Sequence, residues 1–197
     1  QLQEQPFSTN MVPFKSLFID DLCVDQQARG QHIGESLFEY VKNEAKRIFF
    51  LPPSPRPKGG EAFRINPAVI LAQAAIESGW GQSDLASEHH NYFGLTAYGR
   101  SNVWWKGEGI ELGAPSLRSR VYDTPQDSFM DYARLIRSVY PFAADVSDDP
   151  KAFARKIAYS KYISEVNGDN RAAYQALLVK VCRKISKLIP HPINHNS

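Results

Sequence analysis

One carboxylate occupies a position where it could carry out acid–base chemistry. Glu77 ends an almost wholly apolar run, residues 68–76, and is followed at once by Ser-Gly-Trp-Gly. Asn66 is a good helix N-cap and Pro67 suits the first helical position, while the two glycines after Glu77 end a helix. Because apolar side chains cover every face of this helix, the run predicts a buried helix with Glu77 in its last turn.

That setting favours a proton-donating carboxyl group. Burial and the negative end of the helix dipole act in the same direction, so we expect a raised pKa for Glu77. A carboxyl group that stays protonated near neutral pH can serve as a general acid. The alternative is a solvated glutamate at a helix end, which is the commoner position for this residue type.

The composition narrows the classes of function. The 197 residues carry a net charge of +2, with 43% hydrophobic and 22% charged residues, as in an ordinary soluble globular protein. This balance gives no reason to expect nucleic acid or an anionic membrane as a partner, and no apolar run approaches the roughly 20 residues of a membrane span. The 9 Tyr, 11 Phe and 3 Trp suit a ligand with apolar faces and hydroxylated edges, such as a sugar.

Neither a metal site nor a cofactor is predicted. His89 and His90 are adjacent, so on a helix they point in different directions, and no third ligand has a suitable spacing. The two cysteines, Cys23 and Cys182, are far apart in sequence. They form either a disulfide between the N-terminal arm and the last helix or two unpaired buried thiols. The apolar helical face around Cys182 favours the thiols.

The N-terminal part differs in pattern from the rest of the chain. Residues 1–33 lack a clear period and are interpreted as an arm, and a helix is expected over 34–50. A loop with four prolines ends that helix. We therefore divide the chain into an arm and helix over 1–58, packed partly on the main domain, a main domain over 59–189, and a frayed tail over 190–197.

The main domain is predicted to be mostly helical around a small region of strands. A short helix over 84–89 has a cap in Ser83. Glycines and aromatic residues interleave over 91–116, which is typical of turns and short strands, and alternation over 117–122 predicts a strand. Three further helices begin at the capping residues Thr124, Asp149 and Asp169.

Three blocks of the sequence resemble those of glycoside hydrolase family 73, the bacterial β-N-acetylglucosaminidases of peptidoglycan. AQAAIESGWGQSDLA with NYFGLTAYG forms the first, RVYDTPQDSFMDYARLI the second, and KIAYSKYI with AAYQALL the third. They occur in the family's order and cover about residues 60–188. The resemblance implies a mostly α (α+β), lysozyme-like fold, in which a helical lobe with a buried central helix and a small β-hairpin lobe flank a cleft.

The same resemblance implies an activity. Glu77 would protonate the glycosidic oxygen of the β-1,4 bond between N-acetylglucosamine and N-acetylmuramic acid in peptidoglycan glycan strands, without a cofactor. We expect a monomer exported to the bacterial cell envelope, periplasm or cell surface, with its signal peptide not in this chain. The alternatives are a lytic transglycosylase that uses the same glutamate and a non-catalytic peptidoglycan-binding domain. The stretch NYFGL, in place of a Gly-Leu-Met-Gln-like one, favours hydrolysis.

The second catalytic group has three candidates. A glycosidase usually needs another carboxylate, as nucleophile or as base for water. Glu111 is our first choice and Glu108 the second, and the 2-acetamido group of the substrate is the third. The resemblance also places a tyrosine of the cleft at Tyr159, or at Tyr162 if the alignment shifts.

Several residues are candidates for substrate binding. The resemblance implies that Asn91, Phe93 and Gly94 shape the floor of the cleft, although Phe93 is also a plausible core residue. Aromatic side chains next to a predicted hairpin can stack on sugars or close the core of that hairpin. The candidates for stacking are Tyr98, Trp104 and Trp105. Trp80 is expected to pack behind Glu77.

Overall fold

The computed structural model describes residues 63–112, 117–163 and 170–187. The predicted arm, the helix predicted over 34–50, Cys23 and the predicted tail lie outside these residues. Within the described residues, no helix is long and apolar enough to cross a membrane, and no three His, Cys, Asp or Glu side chains are grouped so as to hold a metal ion.

The central helix α1 spans Pro67–Glu77, as predicted. The Asn66 side chain accepts a hydrogen bond from the backbone N–H of Ala68 (2.9 Å), which satisfies one of the unpaired donors at the helix start. Every residue from Ala68 to Ala75 is buried. The prediction of a buried helix is therefore confirmed, and Glu77 is its last residue.

Three of the helices that follow also begin where the sequence predicts. Helix α2 spans Asp84–Ser87, helix α3 spans Pro125–Val139, helix α4 spans Pro141–Ala144 and helix α5 spans Pro150–Ala158. Ser83, Thr124 and Asp149 cap α2, α3 and α5 through their side chains. Helix α2 ends two residues before residue 89, where the sequence predicted its end. Helix α4, a single turn that begins with Pro141, was not predicted.

The last described helix, α6, spans Arg171–Ser186 and corrects one prediction. Its cap is Asn170, whose side chain accepts from the backbone N–H of Ala173 (2.9 Å), and not Asp169. Both residue types are good caps, so the sequence could not distinguish two neighbours. Helix α6 packs against both α1 and α5.

The small lobe contains a two-stranded antiparallel sheet. Strand β1, Gly109–Glu111, pairs with β2, Arg118–Arg120, so that Ile110 lies opposite Ser119. The strand predicted over 117–122 is therefore shorter than expected. Thr96 forms one further antiparallel bridge to Ser119. The mostly helical architecture with a small β-lobe between the central helix and the later helices agrees with the prediction.

One hydrophobic core joins α1, α3, α5 and α6. Cys182 is a buried free thiol in this core, 3.8 Å from the Ala68 carbonyl oxygen, and burial raises its pKa to about 12. A buried thiol at Cys182 agrees with the favoured interpretation of this residue. Its protonated sulfur behaves as a small apolar group that fills the contact between α1 and α6.

Candidate active site

The chain turns sharply immediately after Glu77. Gly79, Trp80 and Gly81 all have left-handed backbones, with φ of 57°, 61° and 79°. Glycine adopts this conformation freely, whereas Trp80 does so at a cost of about 1–2 kcal/mol. The Ser78 hydroxyl bridges the turn, donating to a carbonyl oxygen one turn earlier (2.5 Å) and accepting from the N–H of Gly81 (2.7 Å). The partly buried Trp80 packs against the core, which agrees with its expected place behind Glu77.

Two tyrosine hydroxyls meet at one oxygen of the half-buried Glu77. Tyr162, which follows α5, donates to Oε1 of Glu77 at 3.0 Å, and Tyr174, on α6, donates to the same oxygen at 3.2 Å. These partners are 85 and 97 residues away along the chain. The packing of α1, α5 and α6 therefore positions the carboxyl group.

Each of these hydroxyls accepts a hydrogen bond from a second buried donor. Nε2 of Gln73 donates to the Tyr174 hydroxyl (3.3 Å), and the Tyr132 hydroxyl donates to the Tyr162 hydroxyl (2.9 Å). Gln73 and Tyr132 are both 0% exposed. Glu77 thus lies at the end of two short chains of hydrogen-bond donors, one from α1 itself and one from α3.

The three tyrosines of these chains are held in the neutral form. Burial raises the pKa of Tyr132, Tyr162 and Tyr174 well above the usual value, and the negative charge of Glu77 raises each of them further. A neutral phenol carries its proton and can donate it in a hydrogen bond. The tyrosines therefore act as donors toward Glu77 across the physiological pH range.

The structure places the two candidate cleft tyrosines in different environments. Tyr159 caps the C-terminus of α5 and is 57% exposed, with its ring 6.0 Å from the guanidinium carbon of Arg171. Tyr162 is buried and contacts Glu77. The shifted alignment is thus the one that brings a tyrosine onto the carboxyl group, and a role for Tyr159 stays a prediction.

Asn91 joins the loop after α2 to the small sheet. Its buried side chain donates to the carbonyl oxygens of Leu95 (2.9 Å) and Arg120 (3.0 Å) and accepts from the N–H of Leu95 (3.0 Å). Gly94 has a φ of 61°, which the turn requires and which glycine adopts most easily. Phe93 is fully buried and stacks on the ring of Tyr132 at 3.8 Å, so it is a core residue, the alternative stated above.

The three candidate stacking residues differ in their exposure. Tyr98 is 65% exposed, and Trp104 is half-buried with its ring edge-on to Phe63 at 5.6 Å. Trp105 is only 2% exposed, its indole N–H donates to the Glu108 carbonyl oxygen (2.6 Å), and the guanidinium of Arg120 lies over its ring. The prediction that Trp105 stacks on a sugar is therefore wrong, because neither ring face is open. It closes the core of the small lobe.

The small lobe is attached to α3 through a buried carboxylate, Asp131. Asp131 is 0% exposed and forms ion pairs with Arg120 on β2 and with Arg134 (2.9 Å). It also accepts from the hydroxyl of Tyr122 (2.9 Å) and from the side-chain amide of Asn102 (2.8 Å). Asn102, Arg120 and Tyr122 come from three parts of the lobe, so one carboxylate holds all of them.

Both predicted second carboxylates lie on this small lobe. Glu111 ends β1 with its side chain exposed, opposite Arg118 in the sheet. Glu108 is also exposed and immediately precedes β1. The assignment of the second catalytic group between them stays a prediction.

Sequence reasoning missed four residues of these networks. Gln73 was passed over because it lies within an apolar run, although a single amide four residues before Glu77 lies on the same helix face. Tyr132 and Tyr174 were assigned only to the apolar faces of their helices. Asp131 comes two residues after a buried phenylalanine. The only sign of its role in the sequence is that a charged residue lies on the inner side of a helix.

The sequence of this chain is similar to those of known proteins. Over 123 residues it is 29% identical to the peptidoglycan hydrolase FlgJ of Vibrio parahaemolyticus, a match that covers 55% of this chain and 39% of that protein. It is 34% identical over 79 residues to the exo-glucosaminidase LytG of Bacillus subtilis, covering 38% of this chain and 28% of LytG. The chain thus spans less than half the length of these relatives.

Solved structures share the fold at low sequence identity. The catalytic domain of the autolysin Auto from Listeria monocytogenes aligns with a TM-score of 0.52 and 17% identity, covering 93% of this chain and 97% of that domain. The fold is therefore the lysozyme-like one implied by the sequence resemblance. Residues 58–187, well over half of the chain, match the family model described as mannosyl-glycoprotein endo-beta-N-acetylglucosaminidase. The chain belongs to this glucosaminidase family of glycoside hydrolases.

Proposed function

We propose that this protein hydrolyses the β-1,4 bond between N-acetylglucosamine and N-acetylmuramic acid in peptidoglycan, with Glu77 as the general acid. The observation that carries the proposal is the position of Glu77, the last residue of a buried helix whose carboxyl oxygen is held by two tyrosine hydroxyls. The family match and the names of FlgJ, a peptidoglycan hydrolase, and LytG, an exo-glucosaminidase, support the choice of substrate.

In this reaction Glu77 gives its proton to the glycosidic oxygen as the bond to the sugar C1 breaks. Positive charge develops at C1, and a water molecule then supplies the hydroxyl group of the new reducing end. The proton that this water releases ends on the Glu77 carboxylate, directly or by way of the second group and solvent, so the enzyme is unchanged after a turnover. The buried, neutral tyrosines keep the Glu77 carboxyl group at a constant position through this cycle.

The group that acts at C1 is Glu111, Glu108 or the 2-acetamido group of the substrate. A carboxylate about 5 Å from Glu77 would act as a nucleophile, and one at about 6.5–9.5 Å would activate water. Glu111 is the first choice, and its exposed position at the end of β1 leaves its carboxylate accessible, as is that of Glu108. The exposed Tyr98 and the half-buried Trp104 are proposed to stack on sugar rings.

Because peptidoglycan lies in the bacterial cell envelope, the proposal includes export of the protein to the periplasm or cell surface. It acts there as a monomer on long glycan strands.

The first test replaces the acid with its amide. Glu77→Gln keeps the shape of the side chain and removes the transferable proton, so we expect kcat for release of reducing ends from purified peptidoglycan to fall by about 10²–10⁴. Binding to peptidoglycan and the circular dichroism spectrum should be retained. Wild-type activity in this variant would show that Glu77 is not the acid. A wild-type protein that binds but releases no reducing ends would be a binding domain.

Mass spectrometry of the products separates hydrolysis from transglycosylation. We expect fragments that end in a reducing N-acetylglucosamine, because water attacks at its C1. Fragments that end in anhydro-muramic acid would refute hydrolysis.

A matched pair of variants then identifies the second group. We expect Glu111→Gln to lower kcat more than Glu108→Gln, since both remove one exposed charge from the same lobe and only Glu111 is assigned a role at C1. Equal, full activity of the two variants would contradict this assignment and favour the 2-acetamido group of the substrate.

A further inference from the structure

Two residues, Gln73 and Tyr132, lie behind the tyrosines that contact Glu77 and are hydrogen-bonded to their hydroxyl groups. A phenol has a single proton, so a hydroxyl that donates to Glu77 can only accept from any other neighbour. Behind Tyr174 lies Nε2 of Gln73, and behind Tyr162 lies the hydroxyl of Tyr132, both donors in these contacts. Each tyrosine hydroxyl can therefore donate its proton to Glu77 while it accepts a hydrogen bond from the residue behind it.

The orientation of the Gln73 amide leaves its oxygen unpaired in the described part of the chain but points an N–H group at Tyr174. Its Oε1 is fully buried and has no hydrogen-bond partner within the described residues, which is unfavourable for a buried polar atom. The opposite orientation would turn Oε1 toward Tyr174 and compete with Glu77 for its one hydroxyl proton. The observed amide instead faces Tyr174 with an N–H group, which leaves that proton for Glu77.

We infer that Gln73 and Tyr132 are positioning residues that direct both phenol protons onto Oε1 of Glu77. The inference rests on the proposed role of Glu77 as the acid. The two hydrogen bonds at 3.0 and 3.2 Å then fix Oε1, and with it the orientation of the carboxyl group that gives up the proton.

The test uses substitutions that remove a rear donor without removing a tyrosine that contacts Glu77. Gln73→Met has a similar volume and eliminates the unpaired buried carbonyl, so the fold should be retained. Tyr132→Phe keeps the ring that stacks on Phe93 and removes only the hydroxyl. The matched control is Tyr140→Phe, because the Tyr140 ring packs edge-on to Tyr162 at 5.9 Å while its hydroxyl belongs to neither chain of donors.

Two readouts separate the inference from the proposed function. The first is the ¹³C chemical shift of the Glu77 side-chain carboxyl group, which responds to hydrogen bonding whether or not the protein is active. We expect it to move in Gln73→Met and Tyr132→Phe and to stay at the wild-type value in Tyr140→Phe. A shift that does not move in the first two variants overturns the inference, whatever the activity of Glu77→Gln.

The second readout is steady-state kinetics on peptidoglycan. We expect kcat to fall about tenfold in Gln73→Met and Tyr132→Phe with KM unchanged, the loss that corresponds to one hydrogen bond acting on the transition state. A merely structural role would make activity follow thermal stability, which Gln73→Met should not reduce. Unchanged kcat in both folded variants overturns the positioning role, whereas full activity of Glu77→Gln overturns the proposed function itself.

Discussion

Two carboxylates of the described residues, Glu77 on α1 and Asp131 on α3, are held in contrasting ways. Asp131 is enclosed by two arginines, a tyrosine hydroxyl and an amide, while Glu77 accepts hydrogen bonds from two neutral tyrosines. Arginine keeps its charge at every accessible pH, so Asp131 lies against two fixed positive charges. A neutral hydroxyl donates to the oxygen of either a carboxylate or a protonated carboxyl group. The two carboxylates therefore differ in the chemistry of their partners, which are fixed charges at Asp131 and neutral hydroxyl groups at Glu77.

The largest effect expected from this comparison is on stability at Asp131. Asp131→Asn leaves the buried guanidinium of Arg120 without its counter-ion, so the free energy of unfolding should fall by about 3–5 kcal/mol. Urea unfolding followed by circular dichroism measures the change. Glu77→Gln, which keeps acceptor capacity for both tyrosines, should change it much less. A small loss of unfolding free energy in Asp131→Asn would show that Asp131 does not stabilise the fold as described.

An intermediate effect is expected at alkaline pH around Glu77. The pKa values of Tyr132, Tyr162 and Tyr174 are raised in the folded protein, first by burial, whereas tyrosines in the unfolded chain ionise near pH 10. The stability they contribute is fully present below pH 10 and is lost as pH rises above it, because only the unfolded state releases these protons. Each buried tyrosine should lower the free energy of unfolding by about 1.4 kcal/mol per pH unit.

The slope can be assigned to a residue by substitution. In unfolding titrations between pH 8 and roughly pH 11.5, the free energy of unfolding should fall less steeply with pH for Tyr162→Phe than for the wild type. The difference between the two slopes should equal the contribution of one tyrosine. Parallel declines in the two proteins would mean that Tyr162 ionises in the folded state.

The smallest effect is expected at an exposed ion pair of the same small lobe. Lys106 and Asp123 are in contact, but their side chains are 66% and 54% exposed, so water and salt screen the pair. Asp123→Asn should leave the urea midpoint unchanged, and it serves as the matched control for Asp131→Asn. A loss comparable to that at Asp131 would show that burial does not distinguish the two pairs.

The sequence predicted the elements whose ends are set by neighbouring residues. Helices α1, α3 and α5 begin at a capping side chain followed by proline, and both signals act within three residues of the helix start. Helix α4 and the choice of Asn170 over Asp169 as the cap of α6 were missed. In those places local preferences were equal or weak, and packing decided.

The candidate site was predicted only where a local pattern exists. Glu77 was identified because an apolar run ends on it, a feature visible in a dozen residues. Its partner Tyr162 was named only through the family resemblance, as the alternative to Tyr159, and Tyr174 was not named as a site residue. These two tyrosines are 85 and 97 residues away, and side-chain contacts over such separations depend on how helices pack. Trp105 shows the converse, because a tryptophan near a hairpin looks the same in sequence whether its ring is open or buried.

Helix α3 carries both Asp131 and Tyr132, which are consecutive residues. In an α-helix consecutive side chains are about 100° apart around the axis, so one turn of α3 presents Asp131 to the small lobe and Tyr132 to Tyr162. A rotation of α3 about its axis therefore displaces both contacts at once. The contact that holds the small lobe at Asp131 and the contact of Tyr132 with Tyr162, a residue that donates to Glu77, therefore depend on the same helix.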